Sequence, residues 1–148
     1  MRYCINKIKP GAIIHLGDFY EDGEVLASEN PQLPFCQVPG NCDKYRSPIG
    51  ARETICCRFC NVNMFITHGH NHFVKNGIGA LLSDARKYNA DIALFGHTHK
   101  SYCSCESDGM WVLNPGHCGT WGGSAGVIEV INGKITACYI VQQADLGD

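Results

Sequence analysis

Four short apolar runs, each closed by a polar cluster built around glycine, constrain this chain more than any other feature. Ala12–Leu16 ends in Gly17-Asp18, and Phe35–Val38 ends in Pro39-Gly40-Asn41-Cys42-Asp43. Asn63–Thr67 ends in His68-Gly69-His70, and Asp91–Phe95 ends in Gly96-His97-Thr98-His99. Short apolar runs bounded by turn residues read as buried strands. In open α/β architectures sites form beyond the carboxyl ends of the strands. Glycine there lets the backbone turn sharply and come close to a ligand. The four loops are therefore expected to bring Asp18, Asn41, His68 with His70, and His97 with His99 to one edge of a sheet.

The rest of the chain fits around those strands. Tyr3–Ile8 has apolar residues at helical spacing, and Lys9-Pro10-Gly11 stops it. Glu21–Pro34 is polar and reads as a loop, and Thr54–Asn61 reads as a strand with its turn. Gly79–Tyr88 is an amphipathic helix with Leu81, Leu82, Ala85 and Tyr88 on its core face. Trp111–Asn114, Gly126–Ile131 and Lys134–Gln142 read as later strands, with Asn132-Gly133 as a hairpin turn between the last two. With 148 residues and no repeat or low-complexity segment, the expected product is one α/β domain spanning the whole chain.

Composition removes several function classes. A net charge of −2 with no basic run gives no sign of a nucleic-acid or membrane-surface binder. No apolar stretch is long enough for a membrane span, and Met1–Pro10 alternates charged and apolar residues, unlike a secretory signal. The ten cysteines would suit a disulfide framework only in a small, core-poor chain, which this is not. Reduced thiols in the cytoplasm are the first reading. A structural zinc site made of Cys57 and Cys60 with Cys103 and Cys105 is the second.

An aspartate, an asparagine and several histidines form an oxygen–nitrogen donor set that suits manganese first, with nickel, iron or zinc as alternatives. Two such cations about 3.5–4 Å apart hold phosphoryl oxygens and generate hydroxide near neutral pH, the chemistry of phosphate-ester hydrolysis. The four motifs, in this order, resemble the calcineurin-like metallophosphoesterases, and most closely their small single-domain YfcE-like branch. Asn114-Pro115-Gly116 is similar to a further signature of that family. The resemblance runs from about Ile13 to Gly116.

That resemblance implies a β-sandwich flanked by helices and a divalent-metal-dependent phosphodiesterase or phosphomonoesterase acting on a small phosphate ester. Asp18 would bridge two metals, Asn41, His68 and His97 would complete the second site, and His99 would belong to the first. Cys42 stands where many relatives have a histidine that protonates the leaving group. Asp43 would steady the loop behind it, and His70 would contact substrate phosphate or support the ligands. Asn41 and His70 are the catalytic candidates.

The family pattern also places a strand ending in Asp-x-His, and then a helix, before the Gly17-Asp18 strand. Only about ten residues precede Ala12 here, and they hold no such motif. The expectation is therefore a chain lacking that first strand and most of the first helix, through a late start or a true shortening. Its first metal site would be short of two ligands and its activity impaired. The edge left on Ala12–Leu16 would favour homo-oligomers. A non-catalytic binding module is the rival reading, since a retromer subunit resembles this fold and acts as a scaffold. His15 is read as a core histidine, and His72 and His117 as rim or surface residues. Substrate specificity is assigned to Phe19–Pro34 and Lys100–Met110.

Overall fold

The computed structural model describes residues 1–119 and 122–147. Helix α1 (Arg2–Ile8) ends where Lys9 turns left-handed (φ 51°) ahead of Pro10. Strand β1 (Ile13–His15) pairs in parallel with β2 (Phe35–Gln37). Among the described residues β1 has no other strand partner.

Between β1 and β2 lies α2 (Tyr20–Glu29), a helix where the sequence reads as a loop. The reason for the difference is physical. Only Gly23 and Leu26 of α2 are buried, so the segment carries almost no apolar periodicity. Its N-cap is Phe19 rather than a serine, threonine or aspartate, so no start signal is visible either.

A five-stranded sheet forms the centre, in the order β3 (Thr54–Phe59), β4 (Val62–Thr67), β5 (Ile92–Leu94), β7 (Trp111–Asn114), β6 (Tyr102–Cys105). The β4–β5 and β5–β7 pairs are parallel, and both edge pairs are antiparallel. Strand β6 falls inside the segment read as a specificity loop. Cys60 and Asn61 both have positive φ (49° and 63°), which makes a tight hairpin between β3 and β4. The hairpin expected at Asn132-Gly133 joins β8 (Ser124–Ile131) to β9 (Lys134–Gln142), with φ of 52° and 75° at its centre.

Side-chain alternation divides the core in two. On one face of the central sheet Phe65, Ala93, Phe95 and Val112 pack against Val74 and against Leu81 and Ala85 of α3 (Gly79–Lys87). Tyr88 ends that stripe 60% exposed, with its ring 5.8 Å from that of Phe65. On the other face Val62, Met64, Ile66, Ile92, Leu94 and Leu113 meet Ile14, Leu16 and Cys36 of the β1–β2 segment. The β8–β9 hairpin covers the same face through Ile128, Val130, Ile135, Cys138 and Ile140. The architecture is thus a mixed α/β sandwich: helix, central sheet, and a layer of two-stranded sheets.

This topology disposes of the structural zinc reading. Cys57 and Cys60 lie on and beside β3, while Cys103 and Cys105 lie on β6, and β3 and β6 are opposite edges of the sheet. Four strand spacings, roughly 19 Å, separate the pairs. All ten cysteines are free thiols. Among the described residues no helix is long and apolar enough to cross a membrane.

Candidate metal centre

Parallel strands β1, β2, β4 and β5 end on the same side of the sandwich, and the residues that follow them meet there. His68, directly after β4, is 2% exposed. Its Nδ1 lies 2.6 Å from the carbonyl oxygen of Leu16. A carbonyl can only accept, so Nδ1 carries the proton and the neutral ring turns the lone pair of Nε2 outward. That lone pair faces Asn41 Oδ1 at 3.2 Å, His97 Nδ1 at 3.2 Å and Asp18 Oδ2 at 3.6 Å.

Mutually facing acceptors at this range are unfavourable unless a proton or a cation stands between them. A cation with bonds of about 2.1 Å holds its donors about 3.0–3.4 Å apart, so two of the three separations fit and Asp18 stands at the far edge. Burial lowers the pKa of His68 and of His97, which keeps both neutral and able to ligate. For His97 the neighbouring Lys75 ammonium adds to the effect of burial. Among the described residues no three His, Cys, Asp or Glu side chains alone make a preformed cation site. The Asn41 amide oxygen is a further oxygen donor in the cluster.

Close backbone approach makes the cluster achievable. Gly17 adopts φ 94°, and a Cβ there would meet His68 Nδ1 at 2.7 Å and Gly40 N at 2.8 Å. A Cβ on Gly40 would run into the Asp18 carboxylate. Asp18 Oδ1 accepts the Cys42 N–H at 3.0 Å, leaving Oδ2 for the cluster. Asp43 is fully buried and accepts two backbone N–H groups, from Tyr20 at 2.9 Å and Gly40 at 2.8 Å. It thereby ties the Asp18 loop to the Asn41 loop. Cys42 is exposed, and the Asn41 amide nitrogen lies 3.5 Å from its Sγ.

His70 stands beside the cluster, with its ring centre 5.3 Å from that of His68 and 6.1 Å from that of His97, and its buried Nδ1 has no hydrogen-bond partner. His99 is exposed with φ 60° and makes no hydrogen bond or ring contact to the four donors among the described residues. Asp18, Phe19 and His97 are left-handed as well, strain of the kind that gathers at functional sites.

His72, read as a rim residue, is instead buried, with Nε2 3.4 Å from Asp84 Oδ2 on α3 and its ring edge on Phe65. His117 is exposed. His15, the last residue of β1, is half-buried against Gly23 of α2 rather than in the core, its Nδ1 without a partner and its pKa lowered by burial. The shallow depression around Cys57, Arg58, Met64 and Tyr88 contains none of these residues.

Two contributors carry no sequence signal for their task. The Leu16 carbonyl sets the His68 tautomer, and any residue type offers a carbonyl. Asn114 is fully buried; its Nδ2 donates to Gly96 O at 2.9 Å and Thr98 Oγ1 at 3.0 Å, which fixes the loop bearing His97. The Asn-Pro-Gly motif marks the residue without revealing that job.

Fold and geometry define an α/β sandwich protein with a cluster of nitrogen and oxygen donors at its strand ends. The sequence model of the calcineurin-like phosphoesterase superfamily domain matches residues 2–132, and the chain belongs to that superfamily. The chain is 29% identical over 105 residues to the probable metallophosphoesterase YsnB of Bacillus subtilis, covering 70% of this chain and 57% of that protein. A conserved Streptococcus pneumoniae protein described as a predicted phosphoesterase shares the fold with a TM-score of 0.73 at 23% identity, over 92% of this chain and 76% of that one. Vps29 of Entamoeba histolytica in complex with zinc shares it with a TM-score of 0.64 at 20% identity, over 97% and 89%.

Proposed function

We propose that this chain hydrolyses a phosphate ester, a phosphodiester or phosphomonoester, with a divalent cation held by Asp18, Asn41, His68 and His97. The observation that carries the reading is the convergence of Asn41 Oδ1, His97 Nδ1 and Asp18 Oδ2 on the His68 Nε2 lone pair, at 3.2, 3.2 and 3.6 Å. Manganese is the first choice for this donor set, with nickel, iron or zinc as alternatives. His99 would be the protein ligand of a second cation, with Asp18 as the donor shared with the first. A bound divalent cation supplies Lewis acidity, polarising a phosphoryl oxygen and making a water acidic enough to attack near neutral pH.

The chain's own residues supply orientation and charge. The Leu16 carbonyl holds His68 in the ligating tautomer, as acceptors behind ligand histidines do elsewhere. The Cys42 N–H fixes one oxygen of Asp18, and Asp43 locks the two loops together. His70, whose ring stands beside those of His68 and His97, is the proposed contact for the phosphoryl group or acceptor of a proton from the attacking water. Ten free thiols suit a reducing compartment, and we place the protein in the cytoplasm.

The test pairs calorimetric titration with manganese and turnover of bis(p-nitrophenyl) phosphate. Expected are binding near one equivalent or more, and hydrolysis that disappears in His68→Ala. Manganese binding with no turnover of any phosphate ester would overturn the enzyme reading and support a binding module with this fold. No manganese binding at all would overturn the cation site.

A further inference from the structure

Cys103 and Cys138 meet where the β8–β9 hairpin covers the central sheet. Cys103 lies on β6, an edge strand of that sheet, and Cys138 lies on β9. Both are half-buried against the same apolar cluster. The Cys103 Sγ–H donates to the backbone carbonyl of Cys138 at 3.1 Å, across 35 residues of sequence. One cysteine side chain thus rests on the backbone of the other. The thiols also face each other: burial first, and the Cys103 thiol second, push the Cys138 thiol up to about 12.

The neighbouring thiols are placed differently. Cys105 is on the same strand but is exposed, and its Sγ lies 3.8 Å from the Glu106 carbonyl. Cys56, Cys57 and Cys60 are on or beside β3, the opposite edge of the sheet. Among the described residues no sheet ladder joins β6 to β9. A covalent bond between Cys103 and Cys138 would therefore join two layers whose strands are not otherwise paired.

We propose that Cys103 and Cys138 form a reversible disulfide when a small-molecule disulfide of the glutathione class is present, and that this bond staples the β8–β9 hairpin to the edge of the central sheet. The Cys103 thiolate attacks a sulfur of oxidised glutathione; a protein–glutathione S–S bond forms, and one glutathione thiolate leaves. The Cys138 thiolate then attacks Cys103 Sγ, and the second glutathione thiolate leaves. The two cysteines lose two electrons, and glutathione gains them. The two protons given up by the cysteine thiols end on the two glutathione thiols. Cys138 is ionised only in small part near neutral pH, so the second step is slow there, yet a thiolate of such high pKa is a strong nucleophile once formed. In a reducing compartment the pair rests as two thiols.

The experiment uses the full chain, reduced and then incubated with oxidised glutathione at about pH 8.5, where thiolates are more abundant. Remaining thiols are blocked with N-ethylmaleimide, and the chain is digested with trypsin. Cleavage after Lys134 separates the two cysteines, and fragmentation tells Cys103 from Cys105 and Cys118 in the same peptide. Wild type should yield a peptide pair joined through Cys103 and Cys138. Oxidised wild type should melt about 5–15 °C above the reduced form, and dithiothreitol should reverse the shift. Cys103→Ser and Cys138→Ser should each lose the joined pair and the shift, and Cys105→Ser should keep both. A glutathione adduct on Cys103 with no link to Cys138 overturns the proposal. So does a link from Cys138 to Cys105 or Cys118 in place of Cys103, or a melting shift that survives Cys138→Ser.

Discussion

Replacing Asp43 by asparagine tests whether one buried carboxylate holds two loops of the proposed cation site in place. Asp43 is fully buried, and its two oxygens accept the Tyr20 and Gly40 N–H groups at 2.9 and 2.8 Å. Hydrogen bonds to a charged acceptor contribute about 1.5–3 kcal/mol each, and a buried donor left unpaired costs about 1–3 kcal/mol. Asparagine keeps one acceptor, but its amide NH2 then faces the second backbone N–H. The expected loss is about 2–3 kcal/mol, and about 3–5 kcal/mol for Asp43→Ala, which strands both donors. For a chain of this length each kcal/mol moves the melting temperature by about 2–4 °C. Thermal melts at pH 7 in the presence of a chelator should therefore fall roughly 4–12 °C for Asp43→Asn. Because Asp43 touches the loops of both Asp18 and Asn41, manganese affinity in calorimetry should also fall, by about tenfold. An asparagine variant that melts within a degree of wild type would refute the reasoning, since it would mean that the two N–H groups find water at no cost.

Further outcomes follow from the same geometry. His97→Ala should weaken manganese binding more than His99→Ala in calorimetric titration, because His97 Nδ1 faces His68 and His99 is exposed; equal losses would count against the donor assignment. Gly17→Ala combines an unfavourable φ of 94° with collision against His68 Nδ1; it should lose about 2 kcal/mol or more in urea unfolding and most of its manganese affinity. Burial lowers the pKa of His15 and of His68. Below the ordinary histidine value of about 6.5 the unfolded chain takes up protons that the folded one refuses. Cation-free stability should thus be level above about pH 7 and fall as pH drops through and below 6.5; a urea midpoint that is flat from pH 7.5 to about 5 would contradict it.

The sequence by itself determined a good deal of this protein. Apolar runs such as Asp91–Phe95 are legible because a strand buried on both faces needs nearly continuous apolar residues. Asn132-Gly133 is legible because few residue pairs tolerate two successive positive φ values. The meeting of Asp18, Asn41, His68 and His97 is legible because each closes such a run, and parallel strands bring their carboxyl ends to one side. The tertiary structure decided the rest. Helix α2 stayed hidden because its stability comes from packing Gly23 and Leu26 rather than from an apolar stripe or a cap. The burial of His72 follows from α3 closing over it, a long-range contact that no local pattern records. The tautomer of His68 depends on a carbonyl 52 residues away in sequence, and a lysine on another loop adds to burial in lowering the pKa of His97. Residue type and local spacing state which groups are on offer. Which of them meet, and with which proton, is fixed only when strands distant in sequence are stacked into one sandwich.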